Sequence, residues 1–465
     1  MKYRGEYRKD VTYKLDDIVI YEDGVPYILL KEAPAGTSCH DTLYWNRVRP
    51  PLADAVAAMS DFSIPKSEEY YIDKSLFENP KSKKSNAAAV INSALKEAQA
   101  LKKSVCVIPE GEYWLTDTVY LVDGVILSGC GMDSTTLKIA DDCDIDAVRV
   151  REPISNSGLM DLAIDGNRIQ NYSTFANGHH GNAINVWLHY GRIERVRTNW
   201  VFKHSLLLNY DTGSSSDDGL GFEPAHQNDM GNLNKVLWCD FKDSLLQAVM
   251  WGWRTMDSWM CYTNIGSHAA NLYLEGGTSR FIGNHFDGDG DNGAGPEYNV
   301  YCGDGCDTMF FEGNIFENTQ KENIFFRKPS YSNKTRTISI NNNIIRTCSK
   351  SENEAYANIK ICGYNSSTKA SQIIISGNQI LNPDTNGNNG YAGIHIDYCD
   401  SVKIVGNEFF NVGSANVVIE DTCSNVVYDG VQKIADAATN ATDVITLANS
   451  IRTILINAGL AIEDD

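Results

Sequence analysis

Six short strings in the second half of the chain set rings, carboxylates and cations at matched positions: NLYLE (271–275), NVYCG (299–303), NIFFR (323–327), NIKIC (358–362), GIHID (393–397) and NVVIE (416–420). In each, two apolar residues bracket a central one. An extended chain alternates sides, so if the apolar pair faces a core, the central residue and the one after the pair face out. With AINVW (183–187) added upstream, the outward set is Trp187, Tyr273, Glu275, Tyr301, Phe325, Arg327, Lys360, His395 and Asp397. Aromatic faces pack on the C–H surfaces of sugar rings, and charged groups among them act on a glycosidic bond. The set reads as a polysaccharide-binding groove.

Glu275 is the carboxylate this register places among Tyr273, Tyr301, Phe325 and Arg327. Burial among rings raises a carboxyl pKa toward the general-acid range, while a solvated aspartate stays ionised as a base. The base is expected from DGDGDNGAGPE (287–297), which returns to the groove between the Glu275 and Tyr301 strings and offers Asp287 and Asp289. Asp287, Asp289 and Asp291 also resemble the start of a calcium loop, but the glycine falls at the seventh place and no acid stands at the twelfth. Calcium is a weak match, and no metal or cofactor is assigned. A second long loop, 209–234, carries Asp217, Asp218 and Glu223 as reserve acids.

These residues need a scaffold that stacks similar strands. Between about 105 and 430 the chain is a series of short β runs that align on a recurring asparagine: Asn167, Asn199, Asn264, Asn284, Asn314, Asn343, Asn378 and Asn407. Apolar residues recur three and five before it, the inward positions of a strand that ends in a sharp bend. Spacings of this size with variable loops mark a solenoid, and with the outward strings each turn carries three strands. A left-handed backbone at the asparagine and hydrogen bonds between stacked amides account for its type. Upstream, NAAAVINSALKEAQALKK (86–103) has helical periodicity. Residues 51–85 read as a linker. Residues 1–50 form a tyrosine-rich β unit with a hairpin at Asp23-Gly24. From Val431 the spacing of Val444, Leu447, Ile451, Ile454 and Ala458 predicts a helix with a trimerising seam.

With 40 Lys+Arg against 60 Asp+Glu, the net charge of −20 repels phosphate backbones and anionic lipid, so nucleic acid is not an expected partner. No run reaches the roughly 18–20 apolar residues a spanning helix needs, and no apolar segment follows Met1, so neither membrane insertion nor an export signal is expected. The 12 cysteines form no CxxC pair, so reduced, mostly buried thiols are expected.

The helix, VCVIPEGEYWL (105–115), VILSGCGMDSTTLKI (125–139), DGN (165–167) and the asparagine bends together resemble the pectate-lyase superfamily of single-stranded right-handed parallel β-helices, as found in bacteriophage tailspikes. The resemblance covers about 86–430. Residues 1–50 are similar to the small sugar-binding modules of chitinases and phage tail proteins, through their Tyr-x-Gly-x-Tyr start and late Trp45. These resemblances imply an all-β chain that acts as a virion-borne, receptor-binding spike. They also imply a homotrimer attached to other virion proteins, with a bacterial surface polysaccharide as its partner. A non-catalytic adhesive fibre and a free-standing polysaccharide-degrading enzyme are the other readings. Two mechanisms remain open. Hydrolysis, the preferred one, uses two carboxyl groups about 6.5–9.5 Å apart. In β-elimination, Arg327 or Lys360 would take the proton beside a uronate while a cation on the acidic loop neutralises its carboxylate, as lyases of that superfamily do.

Overall fold

The computed structural model describes residues 69–432 apart from 78–85, 169, 171–180, 211–230, 253, 276, 288–294, 304–305, 330–334, 383–389 and 430. Within 1–68 it describes 2–14, 17–20, 26–29, 31, 34, 36–38 and 45–47. The chain divides into two units, Met1–Glu68 and Glu69–Asp465.

In the first unit Lys2–Glu6, Asp17–Ile20, Pro26–Leu29 and Trp45–Arg47 form one sheet in that order. The two strands of the expected hairpin pair, with Val19 opposite Tyr27 in antiparallel register, while Asp23-Gly24 lies outside the described residues. Buried Tyr13 stacks on Tyr7 at 5.7 Å. Its hydroxyl accepts the Arg8 N–H at 2.7 Å, while the Tyr7 hydroxyl donates to the Thr37 carbonyl at 2.9 Å. Two of the unit's tyrosines therefore build its core.

The second unit is a stack of parallel strands. Among the described residues eleven strands, from Val119–Tyr120 to Ala415–Ile419, make the first sheet. The second and third strands of each turn merge into a 23-stranded sheet, because Gly158–Asp165 and Arg192–Asn199 run unbroken through both positions. The stack begins earlier than the sequence suggests: Glu69–Tyr71, inside the expected linker, pairs in parallel with Val105–Val107. The helix Ala87–Ala100 is capped by the Asn86 side chain, which accepts from the Ala88 N–H at 3.2 Å. It buries Ala88, Ile91, Leu95 and Ala98 against the first turns. Deeper in the stack, rings repeat from turn to turn, with Phe281 on Phe311 at 4.9 Å and Phe286 on Phe316 at 4.6 Å.

The asparagine bends correct the sequence reading in two ways. First, from Asn284 onward the left-handed residue is the one before the asparagine, Gly283, Gly313, Gly377 and Gly406 having φ of 63–65° and Asn342 55°, whereas Asn167 is itself left-handed at 51°. Glycine, lacking Cβ, takes up the turn, and the asparagine that follows is free to use its amide. Second, the ladder begins at Asn284. Its Nδ2 donates to Asn314 Oδ1 at 3.0 Å, and the pattern repeats from Asn314 to Asn343, from Asn343 to Asn378 and from Asn378 to Asn407 at 2.8–2.9 Å. In the preceding turn the ladder position is Thr263, because Asn264 pairs with His285. Further back the column is Cys239, Val196 and Leu162, while Asn167 and Asn199 stand beyond the bend.

Cys302 and Cys306 form a disulfide, which corrects the expectation of thiols only. The other described cysteines are free and, apart from Cys130 and Cys143, buried. The predicted trimerising helix lies outside the described residues, which end with Val431–Gln432 paired to Ser424–Tyr428.

Candidate functional site

The first sheet places the outward residues in one column. Met250 pairs with Tyr273, Tyr273 with Tyr301, Tyr301 with Phe325, Phe325 with Lys360 and Lys360 with His395. Parallel strands repeat at about 4.8 Å, close enough for neighbouring rings to touch. Tyr273 stacks on Tyr301 at 5.5 Å, and Tyr301 meets Phe325 edge-on at 5.7 Å. Tyr210 at one end contacts Tyr273 at 6.3 Å. Tyr298, which the sequence reading did not single out, lies between Tyr301 (4.9 Å) and Phe325 (5.6 Å).

The strands are fixed at their start by a second amide ladder. Buried Asn271 donates to Asn299 Oδ1 at 2.6 Å, Asn299 to Asn323 at 2.6 Å, and Asn323 to Asn358 at 2.9 Å. Each of Asn271, Asn299 and Asn323 also donates to the carbonyl that ends the third strand of its own turn, at Asp287, Glu317 and Arg346. The signal was visible in NLYLE, NVYCG, NIFFR and NIKIC, all of which begin with asparagine.

Charged groups interleave with the rings. The Tyr273 hydroxyl donates to Glu275 Oε1 at 2.9 Å. Burial, and then the charge of Glu275, hold the Tyr273 phenol well above its ordinary pKa, so it keeps the proton. The pair fits because residue 303 on the next turn is glycine: a Cβ there would lie 2.4 Å from the Tyr273 hydroxyl. Arg327 Nη1 donates to the Tyr301 hydroxyl at 3.1 Å. Lys360 Nζ lies 5.6 Å from the Phe325 ring centroid and 3.7 Å from Glu322 Oε1. Burial pushes the Glu322 carboxyl above its usual range, only partly offset by Lys360. Burial, followed by the charge of Glu322, takes Tyr298 up to about 12. His395 Nε2 and Glu420 Oε1 are 2.8 Å apart, and Asp397 Oδ1 accepts from Thr422 at 2.6 Å. Glu322 escaped the sequence reading because it precedes its strand and falls outside the alternation.

Two expected site residues are placed elsewhere. Trp187 is 0% exposed and belongs to the core, where its strand leaves the sheet after Val186; it presents no surface to a ligand. Asp287 ends the third strand His285–Asp287. Its carboxylate lies with the His285 imidazole and the Glu317 carboxylate, the three ligand atoms being within 4.8 Å of one another. Its carbonyl meets Asn271, which stands four residues before Glu275, roughly 13 Å along a strand at ~3.3 Å per residue. The structure therefore does not pair Asp287 with Glu275. Asp289 and Asp291, and with them most of the calcium-like loop, lie outside the described residues, as do Asp217, Asp218 and Glu223. Among the described residues no helix is long and apolar enough to cross a membrane.

No protein-family model and no curated protein matches the chain. Solved structures do match. The A-module of mannuronan C-5 epimerase AlgE6 from Azotobacter vinelandii is 16% identical with a TM-score of 0.53, over 77% of this chain and 99% of that one. The Streptococcus pneumoniae surface adhesin PfbA is 11% identical (TM-score 0.49; 76% and 100%), and the Dettilon tailspike protein 13% (TM-score 0.46; 80% and 71%). At these identities the likeness is one of fold. The stacked three-strand turns make the second unit a right-handed parallel β-helix, the fold it shares with the epimerase A-module.

Proposed function

We propose that the chain binds a bacterial surface polysaccharide along the outer face of the first sheet and hydrolyses it beside Glu275. The observation that carries this reading is the continuous ring column Tyr210–Tyr273–Tyr301–Phe325, flanked by Arg327, Lys360, His395 and Asp397. A column of rings about one strand apart offers successive faces to successive sugars. The reading extends to a virion-borne, homotrimeric spike, on the strength of the small β unit before the solenoid and the 3,4-spaced apolar seam after it.

Glu275 receives a hydrogen bond from a phenol that retains its proton, so it enters the reaction as the acceptor. This reverses the role expected from the sequence. Glu275 acts as the base that activates water, and a second carboxyl group serves as the proton donor to the leaving oxygen. Arg327 and Lys360 are engaged with Tyr301 and with Glu322 and Phe325, so they hold substrate rather than abstract a proton. That favours hydrolysis over elimination.

The test is incubation of the full chain with surface polysaccharides from a panel of bacteria, scored for new reducing ends and for the absorbance of unsaturated uronates. Reducing ends without that absorbance are expected. Glu275→Gln should lower turnover at least ~100-fold and leave binding within a few-fold. Full turnover in that variant would move the chemistry away from Glu275. Binding without cleavage on any substrate would leave an adhesive fibre.

A further inference from the structure

The outer face of the third strands carries a second polar cluster, away from the ring column. His285 and Asp287 alternate with buried Phe286 on one strand, so both point outward. Phe286 pairs with Phe316 on the next turn, which sets Glu317 beside Asp287. His285 Nε2 lies 2.9 Å from Glu317 Oε1. Arg346, one turn further on, holds the other oxygen of Glu317. The Glu317 side chain is 10% exposed, so its direction is fixed by the neighbours that cover it. On the opposite side of Asp287 the paired residue is Gly266, which sends no side chain over the cluster.

We infer that His285, Asp287 and Glu317 form a binding site for a single borderline divalent transition-metal ion, of which zinc(II) is the type. One imidazole nitrogen and two carboxylate oxygens are donors such an ion accepts at about 2.0–2.2 Å in a tetrahedron whose edges are about 3.3 Å. The 2.9 Å spacing of His285 and Glu317 is near that edge, and all three donors lie within 4.8 Å of one another, so a small side-chain rotation closes the set. A nitrogen donor and only three protein ligands suit zinc better than calcium, which takes six to eight oxygens. Arg346 orients Glu317 from outside the ligand set, as outer partners of metal-bound carboxylates do. As a ligand, His285 would be the neutral ring with its hydrogen at Nδ1, so that Nε2, the nitrogen that faces Glu317, offers its lone pair to the ion. The ion would bridge two successive turns and fix the end of the strand from which the acidic loop departs.

The experiment is calorimetric titration of the chelator-treated full chain with zinc chloride, together with X-ray absorption at the zinc edge. One site is expected, with a first shell of nitrogen and oxygen that includes an imidazole signature. Outer partners of a metal site are worth about 10–100-fold in affinity, so losing a ligand in His285→Ala or Asp287→Asn should weaken binding at least ~100-fold. A sulfur-dominated shell would assign the zinc to cysteines and overturn the proposal. So would no saturable binding, or unchanged affinity in both variants. If a variant fails to fold, the absorption spectrum of the unaltered chain decides between the nitrogen–oxygen and sulfur shells.

Discussion

The turns before Tyr262 and those after it solve one problem with different chemistry. At the bend between second and third strands, the early turns place Leu162, Val196 and Cys239 where the later ones place Asn284, Asn314, Asn343, Asn378 and Asn407. At the start of the first sheet the early column is Ala147, Ala183, Ser205 and Ala248, and the later one Asn271, Asn299, Asn323 and Asn358. Both ladders begin within about one turn of each other. The outer face of the first sheet changes there too: Asn185, Leu207 and Met250 are buried, whereas Tyr273, Tyr301, Phe325, Lys360 and His395 are partly exposed. In these two columns the early turns carry mostly small or apolar side chains, and the later turns carry amides that satisfy each other and the backbone. The second arrangement fixes strand register while leaving the outer face open for a ligand.

The largest expected break in this comparison is Phe311→Ala. It empties the later core of a ring stacked on Phe281 and in contact with Phe316 and Phe326. Denaturant unfolding should show a loss of about 3–5 kcal/mol. A loss below about 1 kcal/mol would mean the stack is not close-packed.

Next comes the ladder itself. Asn343 accepts the Asn314 N–H at 2.9 Å and donates to the Phe311 carbonyl at 3.1 Å, so Asn343→Ala strands buried backbone groups. At about 1–3 kcal/mol for each orphaned group, roughly 3 kcal/mol should be lost. Cys239→Ala, in the same column of the early turns, should cost less than half of that. Equal costs at the two positions would erase the distinction drawn between the two regions.

Gly303→Ala sharpens the functional side. Its Cβ would displace the Tyr273 hydroxyl and with it Glu275, while the strand itself can accept alanine. Misplacement of a reacting group by about 1 Å costs on the order of 100-fold in rate, so cleavage should fall by about that factor with little change in melting temperature. Unchanged cleavage would place the reaction away from this pair.

The smallest effects are in pH dependence, and the two regions should differ in sign. Half-buried His204, in the early turns, donates from Nδ1 to the Gln247 carbonyl over 2.8 Å, and desolvation lowers its pKa from 6.5 to about 4. Its contribution is present above its unfolded value and is lost as pH falls toward about 4. Glu322, in the later turns, is raised above 4.5 by burial. The fold then binds the extra proton, so this contribution is greatest below 4.5 and declines as pH rises through the raised value. His204→Asn should flatten the acid limb of melting temperature against pH, and Glu322→Gln the limb above it. If either variant leaves both limbs intact, the corresponding assignment is wrong.

What the sequence determined by itself was periodic. Apolar positions recurring at fixed offsets from an asparagine require stacked strands, and the IxI alternation settles which residues face out, so the column from Tyr273 to His395 was legible in one dimension. Periodicity fails where a side chain's surroundings come from another turn. Trp187 obeys the alternation yet is buried, Glu322 falls outside it yet lies against Lys360, and Asp287 is near Glu275 in sequence but faces another sheet with His285 and Glu317. The left-handed bend also belonged to the glycine beside the asparagine, because backbone strain is relieved at one residue while side-chain hydrogen bonds are made by the next. Local pattern fixes the direction of a side chain from its strand; only the stacking of turns decides what that side chain meets.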